Sequence, residues 1–325
     1  MRRRHFLADL PLLVRNEVFK YIDYETRTRL RGLSRRTREM IDTVPIWLDR
    51  IETSVDPFYI NIYEYRDGAR HQVNLSNWTY QYENMPLTRN QVDEVSIQTA
   101  FEKLAVILRN PNLQIDEFSV GAYGHFQRRL EVTKGEIYLS LNLLKLILGS
   151  LRHQIRSCQF EMHFESGEHE VTAFLPHFQP GYLKSLKMWT RCGGVPGYEQ
   201  ISRTEHWTRL QHLLVRNPPP TLSIEDFWHI PYIELKKFNM STADLDRLIY
   251  HYLNHREFIK AVFEGVRDRW VPTMGPEWVV RRWEPTKDSN KLTVVIRNPN
   301  GQRLGLVFEH CLESRKVEMH RHYFS

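Results

Sequence analysis

Short strand patterns separated by helical patterns recur through the middle of the chain, and their spacing constrains the fold more than any other feature. Predicted strands begin near residues 157, 183, 210 and 233, at intervals of 26, 27 and 23 residues. A period of about 20–29 residues, with a strand and a short helix in each unit, is typical of leucine-rich-repeat solenoids. The intervals therefore predict an irregular leucine-rich-repeat-like α/β domain, with an ordinary layered α/β fold as the alternative.

Clear helical patterns flank these strands. Apolar residues at helical spacing predict helices over residues 95–108 and 138–153. A longer helix is predicted from Ala243 to Phe263, capped by Ser241 or Thr242. Its inward positions would be Leu245, Leu248, Ile249, Tyr252 and Phe258.

The two ends of this α/β region read as β structure. Residues 57–75 alternate in polarity and contain Asp67-Gly68, which predicts a hairpin turn. Near the carboxyl end, Asn298-Pro299-Asn300-Gly301 separates two apolar runs and predicts a second hairpin. We expect that hairpin to cap the repeat domain, with an edge strand over residues 317–324.

Charge is distributed unevenly along the 325 residues. The net charge is +6, and residues 1–50 hold 12 Lys or Arg against 7 Asp or Glu. The larger remainder is close to neutral, whereas a general nucleic-acid binder would more often carry its charge there. The chain also lacks an apolar run of about 18 residues, so we expect no membrane span.

Residues 9–49 carry a helical period. Leu10, Val14, Val18, Phe19 and Ile22 fall on one helix face, with Asp9 as a plausible N-cap and Pro11 in the first turn. After a break near residues 23–26, a second stripe continues to a stop at Pro45 and contains Leu30, Leu33, Thr37, Met40 and Ile41. Two or three helices this short form a weak core, so the module needs a partner or a neighbouring domain.

The string Leu10-Pro11, Val14, Val18-Phe19, Ile22-Asp23, followed by Leu30, Leu33-Ser34-Arg35-Arg36, resembles an F-box. Leu13 departs from the family pattern, which often has Glu there, and Thr37 stands near a usual aromatic position. The resemblance implies a three-helix module that binds a Skp1-like adaptor and, through it, a cullin-RING ubiquitin ligase. The implied docking residues are Leu10, Pro11, Val14, Val18, Phe19, Ile22, Leu30 and Leu33.

The rest of the chain resembles the FTH domain of nematode F-box proteins of the F-box A family. The resemblance is carried by the segment from Phe101-Glu102-Lys103-Leu104 to Phe118, the helix–strand unit 139–164, Glu205-His206-Trp207 before Leu210-Gln211-His212-Leu213, and Thr242 to Phe258. It implies a binding domain without enzymatic activity. The expected organisation is an F-box over 5–50, a β-rich connection over 51–94, an FTH domain over 95–277 and a β segment over 278–325.

Other residue combinations predict structural rather than chemical roles. Cys158, Cys192 and Cys311 show no zinc spacing, and an odd cysteine count suits a reducing compartment. We expect Cys158, which could otherwise pair with His163 or His169, to lie in the core. His251 with His255, and His320 with His322, lack a third metal ligand. Gly193 to Gly197 lacks the Lys of a phosphate loop, and Trp189, Trp207 and Trp228 are expected mainly in the core.

Two functions are compatible with these patterns. The first is substrate recognition in a Skp1-cullin-F-box (SCF) ubiquitin ligase, without cofactor or metal and with an unidentified target. The second is a binding module independent of ubiquitin, acting on an RNA-associated protein or on RNA through the basic segment from Arg27 to Arg38. We expect the first, with no nucleic-acid partner. Asp9 and Pro11 interrupt the only signal-like stretch, which favours a cytoplasmic or nuclear location.

Overall fold

The computed structural model describes residues 11–20, 22–55, 58–66, 68–76, 94–121, 134–164, 170–190, 198–219, 221–238, 240–255, 257–264, 279–285, 289–297, 303–311 and 316–323. The fold is mixed α/β, as predicted, and the chain divides into two compact units. The first unit comprises residues 1–161 and 173–182, and the second comprises residues 162–172 and 183–325. None of the helices within the described ranges is long and apolar enough to cross a membrane.

The first unit begins with the predicted short helices: α1 Leu12–Lys20, α2 Tyr24–Arg31 and α3 Arg35–Asp42. The break after α1 is shorter than predicted because Asp23 already caps α2, accepting a hydrogen bond from the Thr26 N–H at 2.6 Å. Ser34 caps α3 in the same way, accepting from the Thr37 N–H at 3.0 Å. These caps satisfy backbone donors that a helix leaves unpaired at its start. The predicted cap Asp9 lies outside the described residues.

A sheet follows in the first unit. Strands β1 Ile46–Val55, β2 Phe58–Arg66 and β3 Ala69–Asn74 pair antiparallel in succession. Strands β2 and β3 confirm the β structure predicted over residues 57–75, whereas β1 was not predicted. The turn before β3 contains Gly68 at a φ of 77°, a conformation that glycine adopts without strain. Strand β4 Leu113–Gly121 pairs parallel to β1, and β5 Arg156–Phe164 lies beside β4. The helices α4 Glu94–Leu108 and α5 Lys134–Ser150 confirm the two helical predictions.

Aromatic side chains from different segments form the core of this unit. The rings of Phe118 and Phe178 meet edge to face at 5.5 Å, and those of Phe160 and Phe178 lie 4.6 Å apart. All three side chains are fully buried. Burial of each such ring stabilises the fold by about 1.5–3 kcal/mol.

The second unit contains parallel strands that follow one another along the chain. Its strands β6 Ser185–Thr190, β7 His212–Arg216, β8 Tyr232–Lys236 and β9 Lys260–Glu264 are neighbours in that order. Strand β13 Lys316–Tyr323 lies next to β9, followed by β12 Arg303–Cys311, β11 Ser289–Arg297 and β10 Val279–Pro285. The intervening helices are α7 Tyr198–Ser202, α8 Glu205–Thr208 and α9 Thr242–Asn254. A short helix, α6 Glu170–Phe174, spans the boundary between the units.

Two predictions for this unit are wrong. The helix from residue 243 does not reach Phe263, because His255 has the extended φ and ψ of −90° and 108°, and residues 260–264 form β9. Strand β13 is not an edge strand, since it pairs with β12 on one side and with β9 on the other. The turn at residues 298–301 lies outside the described residues, so the hairpin cap stays a prediction, as does the leucine-rich-repeat-like description.

Candidate docking site

The amino-terminal helices share a small apolar core of their own. Phe19 and Ile41 are fully buried, and Met40 and Val44 are buried beside them. Ile22 and Leu30 are partly buried and pack against this cluster. Three of the predicted docking residues, Phe19, Ile22 and Leu30, therefore support the fold of the module itself.

Other predicted docking residues face solvent. The exposed fractions of Val14, Val18 and Leu33 are 47%, 37% and 72%, and Pro11 is exposed as well. Val14 and Val18 lie one turn apart on α1, so they share a helix face. Val14 and Val18 form an aliphatic surface without a partner among the described residues, and we call it the α1 surface. The position of Leu10 lies outside the described residues.

Sequence reasoning did not place Leu13 among the docking residues. Its side chain is 80% exposed, more than any other large apolar side chain that the structure describes in this module. Apolar spacing along α1 does not mark Leu13 as different from the buried positions, so the sequence carries no clear signal for its exposure.

Arg27 in α2 is a second residue whose role the sequence did not reveal. Its guanidinium donates hydrogen bonds to the backbone carbonyl of Ile22 at 2.9 Å, to that of Pro45 at 3.1 Å, and to that of Phe19. The residue is 5% exposed. Burial lowers the pKa of Arg27, and the carboxylates of Glu64 and Asp23 oppose that shift. Arg27 therefore ties the end of α1 to the segment that enters β1.

Several other basic side chains of α2 and α3 pair with carboxylates. Arg31 forms an ion pair with Asp42 at 2.8 Å, in which both side chains are partly buried. Arg29 pairs with Glu25 at 2.6 Å, and Arg35 pairs with Glu39 at 2.9 Å, each one helical turn apart. These pairs satisfy part of the positive charge that the sequence concentrates here.

The helices are also bonded to the rest of the first unit. The N–H of Tyr24 donates to the Glu64 carboxylate at 3.1 Å, and the Asn112 side chain donates to the carbonyl of Asp42 at 3.2 Å. Burial raises the pKa of the Tyr24 hydroxyl. The contacts hold α2 and α3 against the sheet, so their orientation is defined before any partner binds.

The prediction of a buried Cys158 is wrong, because its side chain is exposed. At the start of β5 the buried side chain is Ser157, whose hydroxyl donates to the Gln159 carbonyl at 2.7 Å. Phe160 and Met162 are buried as the alternation predicts, so only Cys158 of these three departs from it. The alternative base His169 lies outside the described residues, as do Cys192 and the loop from Gly193 to Gly197.

The histidines near the end of α9 are half-buried, as expected. The His251 ring stacks on Trp228 at 4.3 Å and lies 5.4 Å from the His255 ring. Burial lowers the pKa of His251, and the neighbouring His255 lowers it further. The Nε2 atom of His320 lies 2.7 Å from the Glu318 carboxylate. Within the described ranges, no three His, Cys, Asp or Glu side chains are grouped as metal ligands.

The tryptophans take different positions. Trp207 is 2% exposed, and its indole N–H donates to the carbonyl of Asp226 at 2.7 Å, so it is a core residue as expected. Trp189 and Trp228 are only half-buried.

Two known families match separate segments of the chain. Residues 7–49 match the F-box domain, and residues 140–274 match the FTH domain. The chain is thus an α/β protein with an F-box domain followed by an FTH domain, which confirms the expected resemblance to nematode F-box proteins.

The chain is similar to F-box A protein 224 of Caenorhabditis elegans, with 21% identity over 261 residues. The match covers 75% of this chain and 60% of that relative. No solved structure matches the chain.

Proposed function

We propose that this chain is the substrate-recognition subunit of an SCF ubiquitin ligase. In this account the F-box binds a Skp1-like adaptor, and the FTH domain, with its leucine-rich-repeat-like strands, binds a target protein. The chain carries out no chemistry, and its contribution is to position the target near the catalytic subunits. Cytoplasm and nucleus are the proposed locations.

The observation that carries the proposal is that the F-box buries some of its apolar side chains and exposes others. The module buries Phe19 and Ile41 in its own core, yet leaves Leu13, Val14 and Leu33 largely in solvent. An amphipathic helix with exposed aliphatic anchors suits recognition by an apolar groove on a partner. We assign adaptor docking to Pro11, Leu13, Val14, Val18 and Leu33, and a supporting role to Phe19, Ile22 and Leu30.

The alternative, a binding module that acts on RNA, has less support. Its motivation was the basic segment from Arg27 to Arg38, but Arg27 is buried against backbone carbonyls. Arg29, Arg31 and Arg35 already have carboxylate partners. Binding of phosphates by these arginines would require breaking those pairs. RNA binding that weakens steeply with increasing salt would favour the RNA alternative.

Affinity purification from cells tests the proposal. The tagged full chain should recover a Skp1-type adaptor together with a cullin, and proteasome inhibition should increase the amount of one or more co-purified targets. A matched variant, Val14→Asp with Val18→Asp, should lose adaptor and cullin but keep the targets. Recovery of targets with neither adaptor nor cullin from the unmodified chain would favour the ubiquitin-independent module.

A further inference from the structure

The sheet of the second unit has two faces of opposite character. On β6 to β9 and β13, one set of alternating residues is fully buried, and it comprises Leu186, Met188, Leu213, Val215, Ile233, Leu235, Ala261, Phe263, Val317 and Met319. The alternate positions on β6, β7 and β8 point to the opposite side, which we call the outer face. They are Ser185, Lys187, Trp189, His212, Leu214, Arg216, Tyr232, Glu234 and Lys236.

In-register pairing aligns the outer face in rows across the strands. Trp189 pairs with Arg216, and Arg216 pairs with Lys236, so an aromatic ring and two cations form one row. The Lys236 ammonium lies 5.5 Å from the Trp189 ring centroid. On its other side the Trp189 ring stacks on His163 at 5.5 Å, nearly parallel at 2°. The row therefore presents cations beside an aromatic surface.

Charge on the outer face is not balanced at β6 and β7. Glu234 pairs with Lys236 at 3.1 Å, and Glu318 on β13 pairs with Lys316 at 2.8 Å. Among the described residues, neither Lys187 nor Arg216 forms an ion pair, and Arg216 is exposed. The outer positions of β6 and β7 therefore hold two cations, Lys187 and Arg216, and no carboxylate.

Two buried ring nitrogens on β6 and β7 lack a hydrogen-bond partner among the described residues. The indole nitrogen of Trp189 and the Nε2 atom of His212 make no hydrogen bond within the described part of the chain. The other ring nitrogen of His212 lies 3.2 Å from the Ser185 hydroxyl. Neither atom is open to solvent, so the cations rather than these two atoms define the chemistry of the outer face.

Strand ends in this region are fixed by side-chain and backbone bonds. The Asn217 side chain donates to the carbonyl of Thr190, and its N–H donates to the carbonyl of Lys236 at 3.0 Å. Asn217 and Lys237, directly after β7 and β8, have positive φ values of 55° and 59°. The ends of β6, β7 and β8 are thereby linked, so Trp189, Arg216 and Lys236 are held in position before a ligand arrives.

We propose that the outer face of β6 to β8 binds an extended, Asp- and Glu-rich segment of the target protein. The assignment of the ligand as a target rests on the proposed function. The principal contacts are Lys187, Trp189, Arg216 and Lys236. These cations lie on three strands about 4.8 Å apart, a spread that suits several separate carboxylates better than one phosphate group. A peptide crossing the strands supplies negative charge opposite these cations.

Fluorescence anisotropy with the full chain tests this surface. The probe is a labelled peptide in which Glu alternates with Ala, and its neutral partner has Gln at each Glu position. The Glu peptide should bind with an affinity that falls with salt, and the Gln peptide should not bind. Lys187→Glu with Arg216→Glu should weaken binding at least about tenfold, while the control Arg152→Glu with Arg203→Glu, at exposed arginines elsewhere, should not.

The outcomes separate this proposal from the proposed function. Equal binding of the Gln peptide, or unchanged binding by the Lys187 and Arg216 variant, overturns the acidic-segment assignment. Binding of a phosphoserine peptide or an RNA oligonucleotide in place of the Glu peptide also overturns it. Adaptor binding measured on the same samples is independent: if the Glu peptide binds and the adaptor does not, only the ligase role fails. Circular dichroism of each variant confirms that the fold is retained.

Discussion

The guanidinium of Arg27 donates a hydrogen bond to the carbonyl oxygen of Pro45 at 3.1 Å, which links α2 to the residue directly before β1. Together with the bonds to the carbonyls of Phe19 and Ile22, it joins the end of α1 to the entry of the sheet. A surface arginine would be replaceable, but this one is buried and surrounded by backbone oxygen atoms. The stability of the docking module therefore depends on it.

Arg27→Met should lower the free energy of unfolding of the full chain by about 2–4 kcal/mol, because three carbonyls lose a charged donor. Urea unfolding followed by circular dichroism measures this change. The matched control is Arg29→Met, whose ion pair with Glu25 is exposed, and its effect should stay within about 0.5 kcal/mol. Equal effects of the two substitutions would show that Arg27 has no special structural role.

Substitutions at Phe19 and Leu33 should distinguish a residue that stabilises the F-box from one that binds the adaptor. Phe19→Ala removes a fully buried ring from the F-box core and should cost about 3–5 kcal/mol of stability. Leu33→Ala alters a side chain that is 72% exposed, so stability should change by less than about 0.5 kcal/mol while adaptor binding weakens. Unfolding curves and adaptor affinity are measured on each variant. Unchanged adaptor affinity in the Leu33 variant would remove that residue from the docking surface.

Glu318 should make stability depend on pH in the acid range. Burial tends to raise the pKa of Glu318, but hydrogen bonds from Lys260 and Lys316 outweigh it and lower the pKa to about 2. A carboxyl with a depressed pKa stabilises the fold above its unfolded pKa of about 4.3, and that contribution is lost as pH falls toward its folded pKa.

The wild-type urea midpoint should consequently fall as pH is lowered from 4.3 toward 2, and Glu318→Gln should show a smaller fall. The comparison is made at matched ionic strength, with Glu199→Gln as the control at an exposed carboxylate. Parallel pH profiles for wild type and the Glu318 variant would contradict the assigned ion network.

Much of the architecture follows from hydrophobic periodicity. The spacing of Leu245, Leu248, Ile249 and Tyr252 correctly predicted the buried face of α9, since all four are fully buried. The same pattern failed at Ala261 to Phe263, where three consecutive buried residues are compatible with a helix or with a buried strand. The pairing of β9 with β8 and β13 resolves that ambiguity, and long-range pairing leaves no local signal.

The candidate site was only partly predictable for a related reason. Helical spacing identifies Phe19 and Val14 as apolar positions of one helix, but it does not say which of them the module buries. That division depends on how α3 packs against α1, which places Met40 and Ile41 beside Phe19. The role of Arg27 could not be predicted from the sequence, because its partners are backbone carbonyls, which carry no sequence signature.

Direct binding of the full chain to a purified Skp1-type adaptor tests the central claim. Isothermal titration calorimetry should detect a complex with wild type and a loss of affinity of at least about a hundredfold with Val14→Asp plus Val18→Asp, since burying two carboxylates in an apolar groove is costly. Leu146→Asp, at a leucine that is 70% exposed on α5, is the matched control and should bind as wild type does. If wild type shows no binding, or if the Val14 and Val18 variant binds equally well, the adaptor role of the α1 surface is wrong.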